Sequence, residues 1–173
     1  MVRALFPGTF DPIHYGHIDI ATRATRVFDE VVMAVYDKPL KSLMFSPEER
    51  MSLVSEAFKD NKKIKVTGYS SLTVEFARQI DAQVIVRGLR VFSDFEFEFR
   101  MALANHRLAE DIEVVALITA EEHTFLSSTT VKEIAQDLRA LECAVSEDTV
   151  RNYLREAMQL FDDRTLRGFG KKH

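Results

Sequence analysis

Short apolar runs recur along the chain, separated by stretches whose apolar residues fall at helical spacing. Val2 to Phe6, Val31 to Val35, Ile64 to Thr67, Val84 to Val86 and Val114 to Ile118 are rich in Val and Ile and read as buried strands. Between them, Ile20, Ala24 and Val27 line one face of a helix beginning near Gly16, and Met51, Val54 and Phe58 line another. The second start is well marked, with Ser46 as cap, Pro47 in the first turn and Glu49 completing a capping box. A shorter helix is predicted over Val74 to Ile80. This alternation predicts an α/β domain built on a five-stranded parallel sheet with helices on both faces.

One segment is ambiguous. Phe95 to Met101 reads F-E-F-E-F-R-M, and its period of two suits a strand. The helix reading, capped by Ser93 with Glu96 three residues on, prevails because the pattern persists for four turns. It carries two apolar stripes: Phe95, Phe99, Ala102 and Leu103, and Phe97, Met101, Ala104 and Leu108. A helix apolar on two sides needs two surfaces to bury against, so the sheet and a neighbouring subunit are expected. After the fifth strand, S-S-T-T-V-K-E (Ser127 to Glu133) opens another helix, followed by a loop with Cys143 and a last helix from Ser146. Acidic Glu147 and Asp148 in that first turn suit the helix dipole. Residues 1–160 are expected to form a single domain, and 161–173 a loosely held tail.

Composition narrows the class. With 173 residues, 46% hydrophobic and 29% charged, the chain is long enough for one core and too ordinary for a disordered or fibrous protein. No apolar run approaches the length of a membrane span, and M-V-R-A-L-F-P-G lacks a secretory signal's apolar stretch, so a cytoplasmic protein is expected. One cysteine cannot form an internal disulfide, and no Cys/His set has zinc-finger spacing. A net charge of −4 disfavours a nucleic-acid partner but leaves room for a small anion held by a few local cations.

The chemistry gathers after the first strand, in G-T-F-D-P-I-H-Y-G-H (Gly8 to His17). That position is the carboxyl edge of a parallel sheet, where open α/β proteins bind ligands. Gly8 is read as admitting a ligand close to the backbone, Thr9 as a hydroxyl and Pro12 as a fixed turn. His14 and His17, three apart at a helix start, can point both imidazoles into one crevice, beside N–H groups that favour anions. The same pair could be half a metal site, although no third ligand recurs at useful spacing. No metal site made by protein side chains is expected. Arg87 and Arg90 follow the fourth strand at the same edge. Neither G-x-x-x-x-G-K-[ST] nor G-x-G-x-x-G is present, which disfavours a P-loop or a dinucleotide pocket.

The first motif resembles the H-x-G-H or T-x-G-H signature of the nucleotidylyltransferase superfamily. R-G-L-R (Arg87 to Arg90), D-F-E-F-E (Asp94 to Glu98) and F-L-S-S-T-x-V-K-E (Phe125 to Glu133) narrow the resemblance to the bacterial phosphopantetheine adenylyltransferase family, over roughly residues 2 to 158. The resemblance implies a Rossmann-like nucleotidylyltransferase fold and adenylyl transfer from ATP to 4′-phosphopantetheine. The products are pyrophosphate and 3′-dephospho-coenzyme A, with Mg2+ as cofactor. It also implies a cytoplasmic homohexamer, a dimer of trimers, and leaves feedback by coenzyme A open. By matching positions, His17 stabilises the transition state, assisted by Lys41 and Arg90. Thr9, Lys41, Thr73 and Arg87 touch the acceptor. Thr9, Phe10, His17, Gly88, Leu89, Arg90 and Glu98 border ATP, and His123, Thr124, Phe125, Leu126, Ser127, Ser128 and Thr129 wrap the nucleotide. His17, Lys41, Arg87 and Arg90 are read as the positive charge that aligns two polyanions. The chain departs from the family at His14, often threonine, at Tyr15, often asparagine, at His123, frequently tryptophan, and at Thr129, frequently serine.

Overall fold

A computed structural model describes residues 1–38 and 43–133. Lys41, the Cys143 loop, the helix expected from Ser146 and the 161–173 tail lie outside the described residues. All five expected strands occur: β1 (Arg3–Gly8), β2 (Glu30–Tyr36), β3 (Ile64–Tyr69), β4 (Val84–Leu89) and β5 (Glu113–Ile118). They form one parallel sheet in the order β3-β2-β1-β4-β5. Helices α1 (Tyr15–Ala24), α2 (Pro47–Ala57), α3 (Thr73–Gln79) and α4 (Phe92–Leu108) make the connections. Among the described residues no helix is long and apolar enough to cross a membrane.

Side chains alternate across the pleat, so each central strand feeds two cores. Ala4, Phe6, Val31, Met33 and Val35 pack with Ile20, Ala21 and Ala24 of α1 and Val54 of α2. Leu5, Val32, Ala34 and Ile85 pack on the other face with Val74 and Ala77 of α3. Each large aliphatic side chain buried this way contributes about 1.5–3 kcal/mol. The outer strands β3 and β5 are only partly covered, because each has a single neighbour: Lys65 and Gly68 are exposed, as is Ile118.

Two helix expectations need correction. α1 ends at Ala24, so Val27 lies beyond it, 66% exposed, and Phe28 enters the core instead. α4 is a helix, but its N-cap is Val91 rather than Ser93: Asp94 N–H already donates to the Val91 carbonyl at 3.0 Å, closing the turn earlier. α2 begins as expected. Ser46 Oγ accepts from Glu49 N–H at 3.2 Å, and the Glu49 carboxylate accepts from Ser46 N–H at 2.9 Å.

The rotation of α4 is also unlike the expectation. Its half-buried row is Asp94, Glu98, Ala102 and Asn105, not an apolar stripe. Apart from half-buried Ala102, both stripes face outward, from Met101 at 42% to Leu108 at 58% exposure, with Phe95 stacked on Phe99. The reason is electrostatic: Asp94 and Glu98 are drawn to arginines on the end of β4, and these ion pairs set which face of the helix turns inward.

Candidate active site

β1 sits where the strand order reverses, between β2 and β4. Its ladder with β2 runs from Arg3↔Glu30 to Gly8↔Val35, but its ladder with β4 comprises only Ala4↔Val84 and Leu5↔Ile85. The carboxyl ends of β1 and β4 therefore part, opening a cleft of about 640 Å³ at the topological switch point. Arg87 spans the parting, its Nη1 donating to the Pro7 carbonyl at 3.1 Å.

The loop after β1 turns sharply at Phe10, whose φ of 50° is left-handed. This folds the ring back over Gly8, where a Cβ would stand 2.7 Å from Phe10 Cζ. Gly8 thus makes room for Phe10 while also lining the cleft. The ring is a support: its edge meets His17 at 5.0 Å and 85°, and Phe6 at 5.9 Å and 80°.

His14 and His17 do point into one crevice, stacked with centroids 3.7 Å apart. The His14 backbone N–H donates to His17 Nδ1 at 3.3 Å, so the neutral His17 ring carries its proton on Nε2. Burial, then His14, Arg90 and Arg87, hold the His17 imidazole well below its usual pKa. Burial, then Arg90 and His123, push His14 down to about 3. His17 is accordingly a neutral donor, which corrects its reading as a positive charge.

This has a consequence for stability. His14 binds its proton in the unfolded chain below about pH 6.5 but in the folded one only near pH 3, so stability is full above pH 6.5 and falls with pH. His14 alone is expected to remove about 2 kcal/mol at pH 5 relative to neutral pH. Denaturant melts at pH 7.5 and pH 5 check this, and His14→Asn is expected to flatten part of the dependence; a wild-type profile flat over that range contradicts it.

The arginines are held in advance. Arg87 grips Glu98 in a two-point pair at 2.6 and 2.7 Å. Arg90 pairs with Asp94 at 3.0 and 3.3 Å, and its Nη1 donates to the Leu126 carbonyl at 3.0 Å. Prior fixing of two long side chains lowers the ordering cost of binding an anion between them. Across the cleft, Ser127 Oγ caps the next helix by accepting from Thr130 N–H at 3.0 Å, and Ser128 Oγ donates to the Pro12 carbonyl at 2.9 Å. Thr73 lies on the wall with Tyr69, hydroxyl to hydroxyl at 3.1 Å.

The structure thus brings Thr9, Phe10, His17, Thr73, Arg87, Gly88, Arg90, Glu98, Ser127, Ser128 and Thr129 to the lining of one cleft. Leu89, His123, Thr124, Phe125 and Leu126 are not on it. Leu89 supplies a backbone carbonyl to Thr119 N–H, and Thr124 Oγ1 donates to the Ala120 carbonyl. His123 is buried against Tyr15, rings 5.8 Å apart at 19°, whereas Phe125 is 81% exposed. Sequence reasoning missed Asp94, Tyr36, Tyr69, Asp11 and Arg50. Asp94 had a signal, lying four residues from Arg90. Arg50 had one too, four residues before Val54 on the buried stripe. The tyrosines had none, since Tyr36 and Tyr69 meet only through strand register.

Comparison with known proteins follows the same line. A family described as cytidylyltransferase-like matches residues 5–134. The chain is 50% identical over 135 residues to a phosphopantetheine adenylyltransferase of Roseiflexus sp., covering 78% of this chain and 84% of that protein. It is 46% identical over 157 residues to a phosphopantetheine adenylyltransferase of Synechococcus sp., covering 91% and 98%. Among solved structures, Plasmodium falciparum nicotinic acid mononucleotide adenylyltransferase complexed with NaAD shares the fold, with a TM-score of 0.59 at 13% identity over 92% of this chain and 98% of that one.

Proposed function

The chain belongs to the cytidylyltransferase-like family and has phosphopantetheine adenylyltransferase activity in coenzyme A biosynthesis, and from that premise we propose how its cleft joins ATP to 4′-phosphopantetheine. An acceptor phosphate oxygen forms a bond to the α-phosphorus of ATP. The bond from that phosphorus to the bridging oxygen breaks, and pyrophosphate leaves with the electron pair. The attacking group is already an anion, so no side chain need take a proton. What the reaction demands is alignment of two polyanions and stabilisation of charge at the α-phosphate.

His17 Nε2–H donates to a non-bridging α-phosphate oxygen. Its neutrality suits this, because a donor of fixed direction stabilises charge as it develops. Arg90 and the Ser127–Thr129 turn face the departing phosphates. Thr9, Thr73 and Arg87, with Lys41, hold the acceptor's phosphate, and the Tyr36, Tyr69 and Leu72 wall takes its uncharged arm. Coenzyme A shares that arm and fits the same wall as a competing ligand. The observation that carries the reading is the meeting of His17, Arg87 and Arg90 in one cleft.

Among the described residues no three His, Cys, Asp or Glu side chains converge, and Asp94 and Glu98 are engaged by arginines. That donor set fits Mg2+ held chiefly by nucleotide phosphates and water, with the Thr129 hydroxyl on the same wall. When bound, the ion neutralises charge on the β- and γ-phosphates. The two outward stripes of α4 suit burial against other copies in a hexamer, and the soluble substrates suit a cytoplasmic enzyme.

Pyrophosphate release, measured with ATP or CTP against 4′-phosphopantetheine, nicotinate mononucleotide and glycerol phosphate, tests the assignment. The expected result is turnover with ATP and 4′-phosphopantetheine far above every other pair. Equal or faster turnover with another pair overturns the substrate reading.

A further inference from the structure

Two side chains off the cleft tie its opposite walls together. Asp11 follows Thr9 and Phe10, and its side chain is 1% exposed. Its carboxylate accepts from Met44 N–H at 3.1 Å, Phe45 N–H at 3.0 Å and Lys132 Nζ at 3.0 Å. Lys132 lies one helical turn beyond Ser128, whose Oγ holds the Pro12 carbonyl at 2.9 Å. Two bonds one turn apart on a single helix thus grip the adjacent residues Asp11 and Pro12. Such a two-point attachment fixes orientation as well as distance.

We infer that the Asp11–Lys132 pair is a positioning clamp, setting the reach between the Thr9–Phe10 loop and the Ser128–Thr129 helix start across which adenylyl transfer runs. The inference rests on the function proposed above. Neither clamp residue lines the cleft, whereas Thr9, Phe10, Ser128 and Thr129 all do. Any effect on catalysis must therefore pass through those neighbours. A buried ion pair is a poor source of net stability compared with apolar packing, so its physical use here is geometric. Burial pushes the Asp11 carboxyl up, but the N–H groups of Met44 and Phe45 and the Lys132 ammonium outweigh this and hold it below the ordinary range. The carboxylate is therefore charged when it meets Lys132.

In-line transfer needs the reacting atoms about 3–3.5 Å apart, and a misplacement of about 1 Å costs on the order of 10² in rate. The anion-holding arginines are anchored elsewhere, on Glu98, Asp94 and backbone carbonyls. Loosening the clamp should thus spoil alignment more than affinity.

The test measures kcat, KM for ATP and amide hydrogen exchange over residues 9–13 in Lys132→Met, Lys132→Arg, Asp11→Asn and the Asp11→Asn/Lys132→Met double variant, well below their melting temperatures. Lys132→Met is expected to lower kcat roughly 10- to 100-fold with KM for ATP within about threefold, and to speed exchange in the loop. Lys132→Arg is expected to recover most of the rate, and the double variant to fall no further than the worse single one. Wild-type kcat in Lys132→Met, or losses that multiply in the double variant, overturn the clamp. A wild type that turns over normally beside unaffected variants sinks the clamp alone. A wild type inactive on ATP and 4′-phosphopantetheine sinks the functional reading, and the clamp is then decided by exchange, where unchanged protection in Lys132→Met overturns it.

Discussion

Replacing His17 with alanine is expected to lower kcat by on the order of 10² to 10³, the scale of losing one preorganised donor to a developing oxyanion. The ring is aimed by three contacts from two neighbours. His14 N–H occupies Nδ1, the His14 ring stacks on one face, and the Phe10 ring packs edge to face. Nε2–H is thus the ring's remaining polar group, and His17 lines the cleft. Because burial and the two arginines keep the imidazole neutral, the loss is expected to be a loss of direction rather than of charge. KM for ATP should change far less than kcat, since Arg87 and Arg90 are untouched. Steady-state pyrophosphate release with a folded variant makes the comparison. Turnover within a few-fold of the wild type removes His17 from the transition state.

Arg50→Met is expected to be the most damaging substitution for stability, costing about 3–5 kcal/mol. Arg50 is fully buried on α2 and donates to three backbone carbonyls: Thr9 and Tyr36 at 2.7 Å each, and Phe45 at 3.3 Å. Methionine fills much of the space but strands those oxygens, and it removes the cation facing Asp11 and Asp37. In a chain of this size the loss corresponds to a fall of roughly 6–20 °C in Tm. Activity should fall with it at temperatures where the variant is folded, because the Thr9 carbonyl belongs to the loop that lines the cleft. Thermal and denaturant melts decide the matter. A variant within about 1 kcal/mol of the wild type shows that the carbonyls find water or new partners.

The two residues differ in how visible they were beforehand. His17 stood in a motif, after a strand and at a helix start, and needed only its position to be noticed. Arg50 stood four residues before Val54 on an otherwise apolar stripe, yet arginine on a helix usually means solvent. Its partners come from residues 9, 36 and 45, and no pattern within α2 announces them. Asp11 and Lys132 are separated by 121 positions, so their pairing was equally out of reach. The fate of Gly8 shows the same limit. Its smallness was evident, but that a phenylalanine two residues on would claim the space depended on the turn at Phe10.

Local order was determined along the chain itself. Apolar runs of strand length, helix-spaced stripes and the Ser46–Glu49 box sufficed for five parallel strands, their helices and the sheet edge at which the cleft opens, because these signals act between residues a few positions apart. Orientation was decided only in three dimensions. The turning of α4 by Arg87 and Arg90, the neutrality of His17 and the burial of His123 against Tyr15 each depend on which distant groups share a low-dielectric space, and burial and Coulomb energy follow distance through the fold rather than distance along the chain.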